Sequence, residues 1–234
     1  IEGERALCFW LSQQTEVSLY HSDENIKQEA SDYVSLMTPV VKSLFTDLAM
    51  EITSDAMQIH GGYGFTKDQG IEQLYRDNRI TPIYEGTNSV QAADLVFRKL
   101  INKNGDIITK FLKMIKSECE SKNENVKTFS KEINYYIDIL SKFTDWIKEK
   151  HTNDKDDVSA AANDYLKTLG FVSLAYSWIK VLEVSYKEHE SNKKFYDDKI
   201  NTAKFFFQKI LPRAEFHYKS AISGSSNIMK FNFI

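Results

Sequence analysis

The chain has 234 residues, of which 42% are hydrophobic and 27% are charged, proportions typical of soluble globular proteins. Its formal net charge of -3 provides no global basic field, so nucleic acid is not expected as a partner. The most apolar stretch, residues 171–182, is too short and too often interrupted by polar residues to span a bilayer. Cys8 and Cys119 lie far apart and form no CxxC motif, so we expect a reducing, cytoplasmic location.

Helical periodicity dominates the first sixty residues. A first helix is predicted from the start of the chain to about Leu19, with a polar joint at residues 21–25. A second helix precedes Thr38 and Pro39, and this pair predicts a restart with Thr38 as N-cap and Pro39 in the first helical position. Apolar residues at three- and four-residue steps then predict one buried helix face, which ends at the glycine pair 61–62. The members of this face are Val41, Phe45, Leu48, Ile52, Ala56 and Ile59.

Glycines cluster between residues 61 and 86, where the helical pattern is interrupted. A short helix is predicted at about residues 71–75, followed by a loop that contains Thr81 and Pro82. The helical pattern then returns near Thr87 or Asn88 and continues toward Leu100.

The sequence from about residue 102 is richer in Lys, Asn and Glu and predicts a second helical bundle. Joints are expected at Gly105 and at residues 122–125, 152–157 and 191–193, with a possible kink at Pro212. A long apolar stripe is formed by Val158, Ala161, Tyr165, Leu169, Val172, Tyr176, Ile179, Leu182 and Tyr186. Alternating strand patterns are nearly absent, so the predicted class is all-α, with domains at residues 1–101 and 102–234.

Two irregular segments carry the chemical signal. The first, residues 58–65 (QIHGGYGF), places a helix end beside three glycines, whose backbone can lie close to a ligand. The second, residues 83–88 (IYEGTN), places the carboxylate of Glu85 just before a helix N-terminus. Thr87 and Asn88 can cap that helix or present their side chains to a phosphate or sugar.

Taken together, these segments resemble the signature of acyl-CoA dehydrogenases. The family pattern QIxGGxGF lies at residues 58–65, its Arg-Asp pair at residues 76–77, and its IYEGT at residues 83–87. Several elements match at fixed spacing, which is more specific than any single motif. The tail, including DYLKTLGFVSLAY and TAKFFFQKILP, resembles the extra helical domain of a bacterial-type subgroup that includes 3-methylmercaptopropionyl-CoA dehydrogenases.

The resemblance implies a role for each matching residue. Glu85 would be the base that removes the α-proton of an acyl-CoA thioester, and FAD would accept a hydride from the β-carbon. The residues implied in FAD contact are Gln58, Ile59, His60, Gly61 and Gly62, toward a neighbouring subunit, and Thr87, Asn88 and Ser89, within their own subunit. The residues implied in substrate contact are Tyr84, Glu85 and Gly86. The implied assembly is a homodimer or tetramer, with electron-transfer flavoprotein as the electron acceptor.

Simpler interpretations exist for the same residues. A lone loop glutamate is usually a solvated carboxylate, and a glycine pair at a helix end can be a C-cap. Arg76, Asp77 and Arg79 fit an anion site or a structural ion pair about equally well. His60 has no second His or Cys at ligand spacing, so no metal site is expected.

Two functions therefore stay open: the C-terminal part of an FAD-dependent acyl-CoA dehydrogenase, and a non-catalytic helical module that dimerises or binds a partner. The chain begins at Ile1 within a helical pattern, and the family's N-terminal helical domain and middle β-domain do not appear in it. We expect the chain alone to be colourless and inactive, and to self-associate through apolar surface around Phe9, Trp10 and Leu44.

Overall fold

The computed structural model describes residues 1–102 and 105–230, and over these residues the chain forms helices and turns without a β-strand. The all-α prediction is confirmed. The α-helices are α1 (Glu2–Tyr20), α2 (Glu24–Ile59), α3 (Gly62–Phe65), α4 (Ile71–Asn78), α5 (Asn88–Ala93), α6 (Asp106–Glu118), α7 (Glu124–Asn153), α8 (Lys155–Lys187), α9 (Lys193–Phe205), α10 (Arg213–Ala221) and α11 (Ser226–Met229). Single 3₁₀ turns lie at Lys67–Gln69 and His189–Ser191, and π-helical segments at Asp94–Ile101 and Phe206–Ile210 extend α5 and α9.

Helix α2 passes through Pro39 without ending, so the predicted restart at Thr38 is wrong. A proline inside a helix removes one backbone hydrogen bond and crowds the preceding turn, at a cost of about 3 kcal/mol. The helix continues because side chains on both sides of the proline, including Met37 and Val40, are buried in the core and offset this cost. The Thr38 hydroxyl donates to the carbonyl oxygen of Val34 at 2.7 Å, a bond within the helix rather than a cap.

The buried face of α2 also differs from the predicted face. Leu44 is buried and Phe45 packs partly buried against the core, but Ile52 is exposed and Ile59 has 85% of its surface accessible. The prediction was therefore wrong for the last turns of the helix. These turns lie beside the four-residue helix α3, whose two aromatic side chains are themselves exposed.

Helix α8 is the central element of the core. It packs against α1, α2, α5, α7, α9 and α10, and residues 168–179 are buried on every side of the helix. The predicted apolar stripe is confirmed, with Tyr186 only partly buried. Gly170 permits the approach of α2, because a Cβ atom there would lie 2.4 Å from Cδ2 of Leu44. Among the helices that the structure describes, none is long and apolar enough to cross a membrane.

The expected apolar surface near the N-terminus is smaller than predicted. Leu44 is only 1% exposed, since α8 covers it. Trp10 is partly buried, with its ring centroid 6.0 Å from that of Phe111 and 5.9 Å from that of Tyr176. Phe9 is 71% exposed, so this residue alone of the three matches the expectation.

A buried carboxylate joins three parts of the C-terminal bundle. Asp157, in the first turn of α8, accepts hydrogen bonds from the backbone N–H and the hydroxyl of Ser225 at 2.7 and 2.9 Å. Its other oxygen lies 2.7 Å from Nζ of Lys150 near the end of α7. The bond to Lys150 and the two bonds from Ser225 lower the pKa of Asp157 to about 2.

We predict that Asp157→Asn lowers the free energy of unfolding by roughly 2 kcal/mol at neutral pH. A carboxylate with a depressed folded-state pKa stabilises the fold above its unfolded pKa, and this contribution is lost as the pH falls through the folded value. The difference between wild type and Asp157→Asn should therefore be constant above about pH 4 and shrink between about pH 4 and 2. Urea unfolding at several pH values measures it.

The control is Asp156→Asn, which removes the same charge one residue earlier, at an exposed position. This variant should differ little from wild type at every pH. A difference between wild type and Asp157→Asn that does not change with pH would contradict the prediction.

Candidate functional site

The loop between α4 and α5 holds Glu85 in an unusual backbone conformation. The backbone N–H of Tyr84 donates to the carbonyl oxygen of Ile80, and that of Asn88 to the carbonyl oxygen of Pro82, both at 3.1 Å. Glu85 has a φ of 55°, and it is the one non-glycine residue with positive φ in the part of the chain that the structure describes. Such a conformation costs on the order of 1–3 kcal/mol and persists only where neighbouring contacts hold it.

Two side chains donate hydrogen bonds to the backbone carbonyl groups of Glu85 and Gly86. The carbonyl oxygen of Glu85 accepts from Nε2 of Gln91 in α5 at 3.0 Å. The carbonyl oxygen of Gly86 accepts from Nζ of Lys42 in α2 at 2.7 Å. Gly86 has a φ of 84°, and a Cβ atom on it would lie 3.3 Å from Nε2 of Gln91. The loop is therefore held from both α5 and α2.

The side chain of Asn88 is bonded to helix α2. Its Nδ2 lies 3.1 Å from the carbonyl oxygen of Ser43, 3.0 Å from Oγ1 of Thr46 and 2.7 Å from Oδ1 of Asp47. Its Oδ1 accepts from Nζ of Lys42 at 2.9 Å. The amide that was predicted to contact a cofactor thus anchors the start of α5 to α2.

The residues on both sides of Asn88 and most of those in the preceding loop are exposed to solvent. The hydroxyl oxygen of Thr87 accepts from the backbone N–H of Val90 at 3.4 Å, so Thr87 caps α5, one of the two roles left open for it. The hydroxyl of Ser89 accepts from Nδ2 of Asn163 in α8 at 3.3 Å. Tyr84 is 50% exposed, and the carboxylate of Glu85 lies at the surface of the chain. This loop therefore presents one carboxylate and two hydroxyls to an external group.

The turn at residues 58–62 is exposed throughout. His60 is the C-cap of α2, and the backbone N–H of Gly61 donates to the carbonyl oxygen of Gln58 at 3.0 Å. Gly61 has φ 59° and ψ -145°, a combination that glycine adopts readily and other residues do not. A Cβ atom on Gly62 would meet no atom of the described residues within 4 Å, so their packing does not require a glycine there.

The two segments lie at different levels of α2. The carboxylate loop is anchored at residues 42–47, whereas the glycine turn begins at Gln58, twelve residues after Thr46. At 1.5 Å per residue the two anchor points are separated by about 18 Å along the helix. The two predicted groups of FAD-contacting residues are therefore attached to different levels of α2.

Arg76, Asp77 and Arg79 lie exposed at the end of α4. Asp77 accepts a weak bond from Gln73 at 3.4 Å, and none of the three forms an ion pair with another residue that the structure describes. Of the two interpretations of these residues, the geometry gives no support to the structural ion pair, and the anion site stays a prediction.

Sequence reasoning missed the residues of α2 that hold the loop. Lys42, Thr46 and Asp47 were not singled out, although they form a polar strip on a helix whose neighbouring face is apolar. Their positions at i, i+4 and i+5 place them on adjacent rows of one helix side. This polar strip within the apolar pattern of α2 was the sequence feature that could have indicated a contact with another part of the chain.

Two family models match the sequence. The model described as "Acyl-CoA dehydrogenase, C-terminal domain" matches residues 14–100, and the model described as "Acetyl-CoA dehydrogenase C-terminal like" matches residues 111–232, more than half of the chain. The chain belongs to the acyl-CoA dehydrogenase family and corresponds to its C-terminal region. The predicted domain boundary between residues 101 and 102 stays a prediction. Buried side chains from both sides of it belong to one hydrophobic core.

Individual relatives are similar over limited lengths. 3-Methylmercaptopropionyl-CoA dehydrogenase of Ruegeria pomeroyi is 41% identical over 118 residues, which are 49% of this chain and 19% of that protein. ACDH-11 of Caenorhabditis elegans, solved in complex with C11-CoA, superposes with a TM-score of 0.73 at 19% identity over 99% of this chain and 38% of its own. An acyl-CoA dehydrogenase of Bacillus anthracis, solved with FAD, gives a TM-score of 0.66 at 18% identity over 94% of this chain and 41% of its own. The chain thus spans well under half the length of these relatives, and the two superpositions establish the shared fold.

We predict that Gly64→Ala disturbs the glycine turn, whereas Gly62→Ala does not. A Cβ atom on Gly64 would lie 2.4 Å from the backbone oxygen of Met57, so the turn must move away from α2. The cost should be about 1–3 kcal/mol in the free energy of unfolding. Chemical denaturation of both variants measures it, and equal stabilities for the two would contradict the geometry.

Proposed function

We propose that this chain forms the C-terminal helical part of an FAD-dependent acyl-CoA dehydrogenase, in which Glu85 removes the α-proton of an acyl-CoA thioester. The observation that carries the proposal is the conformation of Glu85. A non-glycine residue with positive φ costs stability, and bonds from Gln91 to the Glu85 carbonyl oxygen and from Lys42 to the Gly86 carbonyl oxygen hold this one in place. Strained residues of this kind cluster at active sites, and the family match makes a base at this position the natural assignment.

The same loop supplies the groups that the chemistry needs. The carboxylate of Glu85 is accessible and can accept a proton from a substrate carbon placed against the loop. The backbone N–H of Glu85 donates to no other residue that the structure describes, so it is available to the thioester carbonyl oxygen. A donor aimed at that oxygen stabilises the negative charge that develops when the α-proton leaves. Tyr84 and Gly86 flank this position, and we assign them to substrate contact.

The exposed residues of both segments fit an external cofactor. FAD, when bound, would accept the hydride that leaves the β-carbon of the substrate. Gly62 lacks a side chain although a Cβ atom would meet none of the residues that the structure describes, which is expected if another molecule approaches its backbone. We assign Gln58, Ile59, His60, Gly61 and Gly62 to such contacts. The hydroxyls of Thr87 and Ser89 remain candidates, whereas the Asn88 side chain supports the loop and can offer FAD only its backbone.

An oligomer is part of the proposal. The separation of about 18 Å between the two anchor points leaves the glycine turn free to serve the cofactor of a second copy. A homodimer or tetramer provides that second copy, and electron-transfer flavoprotein would then accept the electrons. A cytoplasmic location is kept in the proposal because Cys8 and Cys119 are free thiols.

The test is Glu85→Gln in the complete enzyme. Glutamine keeps the size of the side chain and its hydrogen bonding but removes its basicity, so flavin reduction by an acyl-CoA should slow by at least about 100-fold. Loss of the flavin absorbance band under anaerobic conditions measures the rate. FAD content should stay at the wild-type level.

The matched control is Glu16→Gln on the exposed side of α1, which should reduce its flavin at the wild-type rate. A wild-type rate in Glu85→Gln would refute the proposed role. A loss of bound FAD in Glu85→Gln would instead show that the residue supports cofactor binding.

A further inference from the structure

We infer that Lys42 is the positioning residue of the carboxylate loop: its ammonium group fixes the Glu85–Gly86 backbone relative to helix α2. This inference rests on the proposed function for its catalytic consequence, but its structural part can be tested without it. Lys42 lies in the middle of α2, forty-four residues before Gly86. Its side chain therefore forms a long-range contact between the loop and helix α2.

The ammonium group of Lys42 contacts two acceptors on the loop. It donates to the carbonyl oxygen of Gly86 at 2.7 Å and to Oδ1 of Asn88 at 2.9 Å. Both acceptors are uncharged oxygens, one of a backbone carbonyl group and one of a side-chain amide. Hydrogen bonds from a charged donor are shorter and roughly twice as strong as those between neutral groups.

Lys42 belongs to the polar strip of α2, and the other members of the strip also contact the loop. Asn88 bonds to Ser43, Thr46 and Asp47 on the same side of the helix, and Asp47 lies 3.4 Å from Nζ of Lys167 in α8. The strip therefore connects the loop to the central helix of the core. Lys42 is the member of the strip that reaches the residue directly after Glu85.

The anchor matters because two consecutive residues of the loop have positive φ. Glu85 and Gly86 are held by the Gln91 amide on one carbonyl and by Lys42 on the next. Gln91 lies only six residues after Glu85 and would move with α5, whereas Lys42 relates the loop to α2. Without Lys42 the Asn88 side chain still bonds to α2, but the carbonyl group of Gly86 loses its contact with that helix, so the turn around Glu85 should open more often. A shift of about 1 Å at a catalytic group can reduce a rate by about 100-fold.

The first test measures the loop in the chain itself by amide hydrogen exchange. Lys42→Met keeps the length and apolar stem of the side chain but removes the donor. The amides of Tyr84 and Asn88, which donate across the loop, should exchange about tenfold faster. Lys42→Arg, which can still donate to both acceptors, should restore most of the protection. The matched control is Lys27→Met in the first turns of α2, where the lysine pairs with Glu24 of the same turn.

The centre of α8, residues 168–179, provides the internal reference. An increase confined to the loop supports the inference, whereas an equal increase in α8, or no increase in the loop, overturns it. If Lys42→Met does not fold, Lys42→Gln replaces it, since this shorter side chain cannot bridge both acceptors.

The second test uses the complete enzyme. Lys42→Met should lower kcat about 10- to 100-fold with little change in KM, and Lys42→Arg should recover most of the rate. The two proposals fail in different ways. A wild-type rate of flavin reduction in Glu85→Gln refutes the proposed base, whatever Lys42 does. If Glu85→Gln stops reduction while Lys42→Met changes neither loop exchange nor kcat, only the positioning role is refuted.

Discussion

The close approach of helices α2 and α8 is the constraint on which both the core and the site depend. Gly170 has no side chain where a Cβ atom would lie 2.4 Å from Leu44 and 3.2 Å from Val40. The two helices can therefore bury the middle of α2 against the most deeply buried stretch of α8, residues 168–179. Burial of this kind offsets the cost of Pro39 inside α2 and keeps that helix continuous from Glu24 to the glycine turn.

The same stretch of α2 serves the core and the site with different faces. Val40 and Leu44 are buried against α8, and the adjacent polar side chains, among them Lys42 and Asp47, hold the carboxylate loop. A rigid helix that is fixed in the core is a precise support for a loop, because catalytic geometry tolerates displacements of only a fraction of an ångström. The positive φ of Glu85 is then maintained by contacts from a part of the fold that cannot easily yield.

Much of this could be predicted from the sequence, and the errors have identifiable physical causes. The spacing of apolar residues predicted most of the helices, because local spacing shows which side of a helix is apolar. The joint at Gly105 was also predicted, and α6 begins directly after it. The prediction failed at Pro39 because a local propensity of about 3 kcal/mol was outweighed by burial that only distant residues provide. It failed at Ile59 because an apolar residue at helical spacing is buried only where a partner covers it, and Ile59 at the end of α2 stays 85% exposed.

For the site, the sequence by itself determined the family, the position of the carboxylate and the glycines beside it, because these are local motifs at fixed spacing. Only the tertiary structure decided how they are arranged. The hydrogen bonds from the Asn88 amide to α2 and from Lys42 to Gly86 join residues more than forty positions apart. The different levels at which the loop and the glycine turn meet α2 depend on the length of that helix. Sequence spacing carries no information about which distant side chains meet, since that depends on how the helices pack.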